Sequence, residues 1–138
     1  MKEYAFEIKE TKSAGRGTFA AEDIPKGAEW IVECILLPRR DIPNDSVLST
    51  YVFDGRHKYY LLAIGLGTLV NCDRKSPNLK CRATDDNKLV FTAVRDIKKG
   101  EEMTLDYGYD VYEFAKLHNI DVDSVNRLVT NQDGKYGR

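Results

Sequence analysis

The stretch Lys99–Asp110, which reads KGEEMTLDYGYD, guides the interpretation of the whole chain. After its Lys-Gly turn, alternation predicts a short strand with Met103 and Leu105 on one face and Thr104 on the other. The strand then brings Tyr107 to a glycine at which the backbone can turn sharply. A tyrosine at a strand end commonly packs with its hydroxyl in water, so the stretch gains meaning only from what surrounds it.

Composition predicts one globular domain. The 138 residues are 42% hydrophobic and 31% charged, and a chain of this size can bury a core without metal or disulfide support. No apolar run is long enough to span a membrane, and the charged N-terminus lacks the apolar core of a signal peptide. Three cysteines without a Cys-x-x-Cys pair, with only two histidines, favour free thiols in a reducing intracellular compartment and argue against a metal site.

Charge is unevenly distributed along the chain. The net charge of −1 argues against direct nucleic-acid binding. Residues 55–82 contain six bases and one acid, whereas residues 100–123 contain seven acids and one base. Two solvated faces of opposite sign would explain this pattern. Alternatively, the acidic segment forms a rim that attracts a lysine-rich peptide.

Hydrophobic periodicity predicts many short strands followed by helix. The predicted strands are Tyr4–Ile8, Thr18–Ala20, Trp30–Leu36, Lys58–Ile64, Leu79–Ala83 and Lys88–Val94, of which the last two form a hairpin. Predicted helical segments are a short helix or turn at Val47–Phe53, one turn at Thr68–Asp73, a helix through Val111, Phe114 and Leu117, and a helix through Val122–Val129 before a frayed tail.

Two segments of the chain echo each other. Phe19–Glu29 and Phe91–Glu101 both run from a strand through an Asp-Ile-x-Lys-Gly turn into a second strand, with one extra residue in the second copy. Two copies are too few for a solenoid, so the echo predicts two similar β-arches within one domain.

Three motifs in order carry a family resemblance: GRGTFA at Gly15–Ala20, a Leu-Val-Asn segment running from Leu69 to Asn78, and GEEMTLDYG at Gly100–Gly108. Together they resemble the SET domain of protein lysine methyltransferases over roughly residues 4–115. The chain looks most like the minimal stand-alone SET proteins of some large DNA viruses. The resemblance implies a mostly β, β-clip SET fold of several small sheets, with a knot-like C-terminal segment and one or two short C-terminal helices. It implies a catalytic domain at residues 1–118 and a helical extension with a frayed tail at 119–138.

One motif departs from the family pattern. The usual Asn-His-Ser-x-x-Pro-Asn is Asn71-Cys72-Asp73-Arg74-Lys75-Ser76-Pro77-Asn78 here, with cysteine for histidine, aspartate for serine and one extra residue. The family's histidine contacts the cofactor largely through its backbone, which a cysteine can also supply.

The resemblance implies methyl transfer from S-adenosylmethionine to a lysine amine, leaving S-adenosylhomocysteine and requiring no metal. Tyr107 would be the catalytic tyrosine. The implied cofactor-binding residues are Gly15, Arg16, Gly17, Asn71, Cys72, Tyr112 and Phe114. Asn71 could equally be a turn former, and Tyr112 and Phe114 could be core residues of a helix.

The implied walls of the lysine channel are Tyr51, Phe53, Leu105 and Tyr109. Tyr51 and Phe53 could also be plain core residues. Leu105 stands where many relatives have the phenylalanine or tyrosine that influences the number of methyl groups added, so the sequence leaves that number open.

The expected partner is a basic, lysine-containing peptide such as a histone tail. A nucleus is the expected location for a histone substrate, and the cytoplasm otherwise. The few flanking elements favour a homodimer, although the oligomeric state stays open. Two alternatives remain: a non-catalytic β-clip or degenerate SET binding module, which the Cys72 departure favours, and a thiol-dependent enzyme using Cys72.

Overall fold

A computed structural model describes residues 2–12 and 15–121, and within them the chain forms short strands, 3-10 turns and one α-helix. The strands are β1 (Phe6–Glu10), β2 (Arg16–Ala20), β3 (Glu29–Val32), β4 (Cys34–Pro38), β5 (Val52–Asp54), β6 (Tyr59–Ala63), β7 (Asn71–Cys72), β8 (Leu79–Ala83), β9 (Leu89–Ala93) and β10 (Thr104–Leu105). The 3-10 turns are Arg39–Asp41, Val47–Thr50 and Gly65–Leu69, and helix α1 is Val111–Leu117. The predicted mostly β class is confirmed.

The strands form four small sheets. Strands β1 and β2 pair antiparallel, β9 lies between β3 and β8, and β6 lies between β4 and β5. Strands β7 and β10 form a two-stranded parallel sheet. The predicted hairpin is confirmed as β8 and β9, and Asn87 in its turn has a φ of 65°. The parallel pair joins two segments that are distant in the sequence. This pair positions the candidate site.

Two predicted elements around this pair were wrong. The strand predicted at Trp30–Leu36 is two strands, β3 and β4, which separate at Glu33 and pair in different sheets. The helical turn predicted at Thr68–Asp73 is instead a 3-10 turn that ends at Leu69, followed by strand β7. Pairing with β10 overrides the local preference, because the ladder satisfies backbone groups that a single helical turn would leave open.

The opening stretch is buried on both faces of its short strand, with Met103 and Leu105 both in the main core cluster. Met103, Thr104 and Leu105 are all buried. Met103 packs in the main core, whereas the hydroxyl and backbone N–H of Thr104 bond to Asn78. Neither face of this segment meets solvent, so its two-residue strand carries no amphipathic signal.

Helix α1 begins after Asp110, whose side chain accepts a hydrogen bond from the backbone N–H of Glu113. Val111 and Ala115 are buried, whereas Leu117, predicted on the same stripe, is 76% exposed. The second predicted helix, Val122–Val129, lies outside the described residues, as does the tail. Among the helices that are described, none is long and apolar enough to cross a membrane.

The two Asp-Ile-x-Lys-Gly turns pair with each other. Ile24 and Ile97 exchange backbone hydrogen bonds of 2.8 Å in both directions. The carboxylate of Asp23 accepts from the N–H of Lys99, and that of Asp96 accepts from the N–H of Lys26, each at 2.8 Å. The Asp-Ile-x-Lys-Gly repeat is therefore a reciprocal pair of arches, and it anchors the segment that leads to Tyr107.

Candidate active site

The parallel sheet brings the two central motifs together. In its register Thr104 lies opposite Asn71 and Leu105 opposite Cys72. The N–H of Asp73 extends the ladder by donating to the carbonyl of Leu105 at 2.8 Å. The segments that end in Asn71 and Tyr107 therefore lie side by side, although they are more than thirty residues apart.

Tyr107 reaches across this sheet. Its hydroxyl donates a hydrogen bond to the backbone carbonyl of Val70, and its ring packs against both apolar clusters of the core. Gly108 has a φ of +82°, and its N–H donates to the side chain of Asp106 at 2.8 Å. This turn needs a residue that tolerates positive φ, so it fixes where the tyrosine side chain leaves the backbone.

The side chain of Asn71 is fully buried, and its amide nitrogen has hydrogen-bond partners whereas its amide oxygen has none among the described residues. Its Nδ2 donates to the carbonyl oxygen of Arg16 at 3.0 Å and to Oε2 of Glu102 at 2.8 Å. Its Oδ1 is the one buried side-chain polar atom, among those of residues 2–12 and 15–121, that has no hydrogen-bond partner. A buried acceptor without a donor costs free energy, and this oxygen is suited to accept a hydrogen bond from a ligand.

Gly17 is required by this contact. A Cβ at position 17 would lie 2.6 Å from Oε2 of Glu102 and 2.9 Å from Nδ2 of Asn71. Gly15, two residues earlier, has a φ of +69°. The glycine pair thus lets the backbone of Arg16 approach Asn71 closely.

Asn78, the last residue of the second motif, links that motif to the segment that leads to Tyr107. Its Nδ2 donates to the carbonyl of Glu102 at 2.7 Å, and its Oδ1 accepts from the N–H of Thr104 at 2.8 Å. Asp73 accepts from the N–H groups of Lys75 and Ser76. The aspartate therefore shapes the turn that returns the chain to Asn78.

Cys72 is a core residue. Its side chain is fully buried and packs in a cluster with Val111, Ala115 and Ile120. The buried thiol has no access to a substrate, which argues against nucleophilic use of this cysteine. The three cysteines are not joined by disulfides, and burial raises the pKa of the Cys34 thiol to about 11.

A cavity of about 340 Å³ adjoins Tyr107. Its walls include three of the four residues predicted for the lysine channel, Phe53, Leu105 and Tyr109, together with Tyr107 itself. Phe114, predicted to cover the cofactor, also lines it, with its ring centroid 5.2 Å from that of Tyr109. Polar groups at the wall include the carboxylates of Asp54 and Asp106, which are half to largely exposed and pair with surface arginines.

The predicted site residues thus fall into two groups. Gly15, Arg16, Gly17 and Asn71 lie around one buried amide, and the cavity residues lie around the ring of Tyr107. Tyr107 connects the groups through its hydrogen bond beside Asn71. Tyr51 is not among the residues that line the cavity, and the side chain of Tyr112 lies outside the described part of the chain.

Sequence reasoning missed Glu102. Burial raises the pKa of its carboxyl, the hydrogen bond from Asn71 opposes this shift, and the charge of Asp73 raises the pKa further. Asp54, at the cavity wall, was also missed. No signal in the sequence marks Glu102, because its burial depends on contacts with Gly17 and Asn71, which are distant in the chain. No group of three or more metal-ligating side chains occurs within the described ranges.

Comparisons with known proteins agree with the fold. The family model described as SET domain matches residues 15–108. A curated relative, the histone-lysine N-methyltransferase, H3 lysine-37 specific, of Schizosaccharomyces pombe, is 27% identical over 134 residues. The match covers 94% of this chain and 87% of that protein.

Solved structures give the same picture. A Plasmodium falciparum protein described as a candidate histone methyltransferase is 25% identical, with a TM-score of 0.64, over 79% of this chain and 96% of that one. CpSET8 from Cryptosporidium is 26% identical, with a TM-score of 0.60, over 77% and 58%. A chain of an active polycomb repressive complex 2 in its basal state matches at 22% identity with a TM-score of 0.64, over 78% and 16%, and shows likeness of fold alone.

Proposed function

The chain belongs to the SET domain family, and from this premise we propose that it is an S-adenosylmethionine-dependent protein-lysine N-methyltransferase that acts on a basic, histone-tail-like peptide. The observation that carries the proposal is the placement of Tyr107 between the buried amide of Asn71 and the aromatic cavity. We propose that the region around Asn71 holds the methyl donor and that the cavity holds the lysine side chain, which would bring the two reacting groups together at Tyr107.

The residues around Asn71 fit the amino-acid portion of the cofactor. The unpartnered Oδ1 is an acceptor, and the cofactor's ammonium group is a strong donor. The backbone carbonyl of Arg16 lies close by. Gly15 and Gly17 are proposed to let the cofactor approach this backbone, and the backbone of Cys72 is the proposed partner of the adenine. Because Oδ1 is covered in the ligand-free chain, binding requires a small shift of the residues around it. Phe114 and Tyr112 are proposed to cover the adenine ring.

The cavity beside Tyr107 fits a lysine side chain. Phe53, Leu105 and Tyr109 provide apolar and aromatic walls, and Tyr51 is proposed to extend them. The attacking amine must be neutral, and deprotonating a lysine of pKa 10.4 at pH 7 costs about 4.6 kcal/mol. Apolar walls disfavour the charged ammonium and so reduce this cost, whereas Asp54 and Asp106 at the same cavity act in the opposite direction.

When bound, the cofactor supplies a methyl group on a positively charged sulfur. That methyl group would pass to the neutral lysine nitrogen, with the bonding electrons staying on the sulfur and the extra proton of the methylated amine going to solvent. Tyr107 is proposed to orient the amine at the point of transfer through its hydroxyl. Its hydrogen bond to Val70 holds the hydroxyl in place before substrate arrives.

The acidic wall supports a basic substrate. Asp54 and Asp106 flank the cavity, and their ion pairs with surface arginines are weak enough to exchange for bases on a peptide. A histone tail is the proposed substrate because the Schizosaccharomyces pombe relative is named for one. A chromatin substrate would place the protein in the nucleus, and another protein substrate in the cytoplasm. A homodimer is the proposed assembly, which sedimentation would test.

The test is transfer of a labelled methyl group from S-adenosylmethionine to core histones and to a lysine-containing tail peptide. Wild type should label lysine, and Tyr107→Phe should not. Tyr4→Phe is the matched control, since the Tyr4 ring packs on Trp30 rather than in the proposed site. Cofactor binding without transfer to any basic peptide would favour the binding-module alternative, and absence of cofactor binding would contradict the enzyme proposal altogether.

A further inference from the structure

The buried amide of Asn71 has only one stable orientation in this structure. Its nitrogen faces two acceptors, the carbonyl of Arg16 and the carboxylate of Glu102. If the amide were turned over, Oδ1 would face both acceptors without a hydrogen between them. The pair of acceptors therefore fixes the side on which Oδ1 stands.

Of the two acceptors, Glu102 is the side chain, and the fold holds it firmly. Its backbone pairs with Phe19, and its carbonyl accepts from Nδ2 of Asn78 at 2.7 Å. Gly17 leaves room for its carboxylate, since a Cβ there would lie 2.6 Å from Oε2. These backbone contacts therefore fix the position from which the carboxylate reaches Asn71.

Holding this acid costs stability. Burial raises the pKa of Glu102, and the nearby charge of Asp73 raises it further, so the ionised form is disfavoured by its surroundings. An uncharged side chain of the same shape would avoid that cost. The carboxylate accepts from Nδ2 of Asn71 while Oδ1 of the same amide has no partner within the described part of the chain, an arrangement suited to orienting that oxygen.

We propose that Glu102 is a positioning residue for the cofactor: it fixes the carboxamide of Asn71 so that Oδ1 faces the ammonium group of the amino-acid portion. This inference rests on the proposed function. It assigns Glu102 no contact with the reacting atoms, because it acts through Asn71.

Two variants of similar size separate the hydrogen bond from mere filling of space. Glu102→Gln retains a carbonyl that can accept from Nδ2 of Asn71, whereas Glu102→Met retains the length and offers no comparable acceptor. Glu101→Gln is the matched control, since the Glu101 carboxylate bonds to the N–H of Lys98 and pairs with Arg95. Calorimetry would compare S-adenosylhomocysteine with its deaminated analogue, in which hydrogen replaces the ammonium group.

Glu102→Met should bind S-adenosylhomocysteine at least about tenfold more weakly than wild type. This is the effect of losing one charge-assisted hydrogen bond, here the bond between Oδ1 of Asn71 and the ammonium group of the ligand. The same variant should bind the deaminated analogue as wild type does. Glu102→Gln should stay within about threefold of wild type for both ligands, and Glu101→Gln should match wild type. Equal losses for both ligands in Glu102→Met, or no loss for either, would overturn the inference.

A crystal structure of wild type with S-adenosylhomocysteine gives a test that does not depend on how well a variant folds. The expected result is Oδ1 of Asn71 within about 3.2 Å of the ammonium nitrogen, with Nδ2 still on Glu102. An amide turned away from Glu102, or an ammonium bound elsewhere, would contradict the inference. If wild type binds neither ligand, the proposed function fails as well. If wild type binds and the variants do not differ from it, the inference alone fails.

Discussion

The hydroxyl of Tyr107 donates a hydrogen bond to the backbone carbonyl of Val70, the residue that directly precedes Asn71. Through this bond the end of the last strand is tied to the start of the strand beside it. The side chain proposed for methyl transfer is therefore positioned by the same backbone that carries the proposed cofactor ligand.

Removing this hydroxyl should affect transfer far more than binding. Tyr107→Phe is expected to lower kcat by about 100-fold or more, the effect of losing one preorganised hydrogen-bonding group at a reacting centre. The Kd for S-adenosylhomocysteine should change by less than about threefold, because the ring remains. Transfer kinetics and calorimetry on the same preparation check this, with Tyr4→Phe as control. Transfer within tenfold of wild type would rule out the catalytic role of Tyr107.

Crowding the glycine pair should weaken cofactor binding. Gly17→Ala places a Cβ against Glu102 and Asn71, which should destabilise the fold by about 1–3 kcal/mol and lower cofactor affinity. Gly67→Ala is the matched control, because its Cβ would lie 2.9 Å from a methyl of Val32, in the main core. Urea unfolding and calorimetry should show similar destabilisation in both variants and weaker cofactor binding only in Gly17→Ala. Equal cofactor affinities of Gly17→Ala and Gly67→Ala would mean that Gly17 has no specific role in cofactor binding.

Asn78 should be important for stability. Asn78→Ala leaves the buried carbonyl of Glu102 and the buried N–H of Thr104 without partners, at an expected cost of about 2–4 kcal/mol. Thr92→Ala, which removes an exposed hydrogen bond to Glu29, should cost less than about 0.5 kcal/mol. Urea denaturation measures both. A loss below about 1 kcal/mol for Asn78→Ala would mean that the two segments hold together without it.

The stability of the protein should carry a pH signature of Glu102. The pKa of Glu102 is raised in the folded state from its usual 4.5, so the folded chain holds this proton more tightly than the unfolded chain does. The contribution of Glu102 to stability therefore falls as the pH rises from about 4.5 through the folded-state pKa.

Glu102→Gln removes this titration. The variant should be more stable than wild type at pH 7, and the difference should disappear below about pH 4.5, where Glu102 is protonated in both states. Thermal unfolding of both proteins across this range checks the sign. A variant less stable than wild type at pH 7 would mean that the ionised carboxylate stabilises the fold.

Tyr109 should affect the peptide more than the cofactor. Its ring lies between those of Tyr107 and Phe114, with centroids 6.0 and 5.2 Å away, and it lines the cavity. Tyr109→Ala is expected to raise KM for the peptide about tenfold, the value of one aromatic anchor, with little change in the Kd for S-adenosylhomocysteine. Steady-state kinetics and calorimetry separate the two. Weaker binding of S-adenosylhomocysteine with an unchanged KM for the peptide would mean that Tyr109 contributes to the cofactor site instead.

Much of the fold could be predicted where local chemistry decides it. The hairpin of β8 and β9 follows from two apolar runs around a polar turn, and the echoed Asp-Ile-x-Lys-Gly turns follow from their glycines. Gly27 and Gly100 have φ values of +87° and +91°, with open space where a Cβ would lie, so conformation rather than crowding requires glycine there. The sequence did not reveal that the two turns clasp each other, because such pairing depends on distant segments.

The errors lie where tertiary pairing overrides periodicity. Asn71 and Cys72 form a strand because Thr104 and Leu105 lie beside them, and the segment around Asn71 has no strand pattern of its own. Glu102 was overlooked for the same reason. An acid after a Lys-Gly turn looks like a solvated residue until Gly17 and Asn71 are known to lie against it.

The most direct test of the account is a calorimetric titration of the wild-type chain with S-adenosylhomocysteine, followed by a titration of Asn71→Ala. The account predicts one site per chain for wild type, a melting temperature that rises with ligand concentration, and affinity at least about tenfold weaker for Asn71→Ala. Absence of binding to wild type, or equal binding by the two proteins, would contradict it.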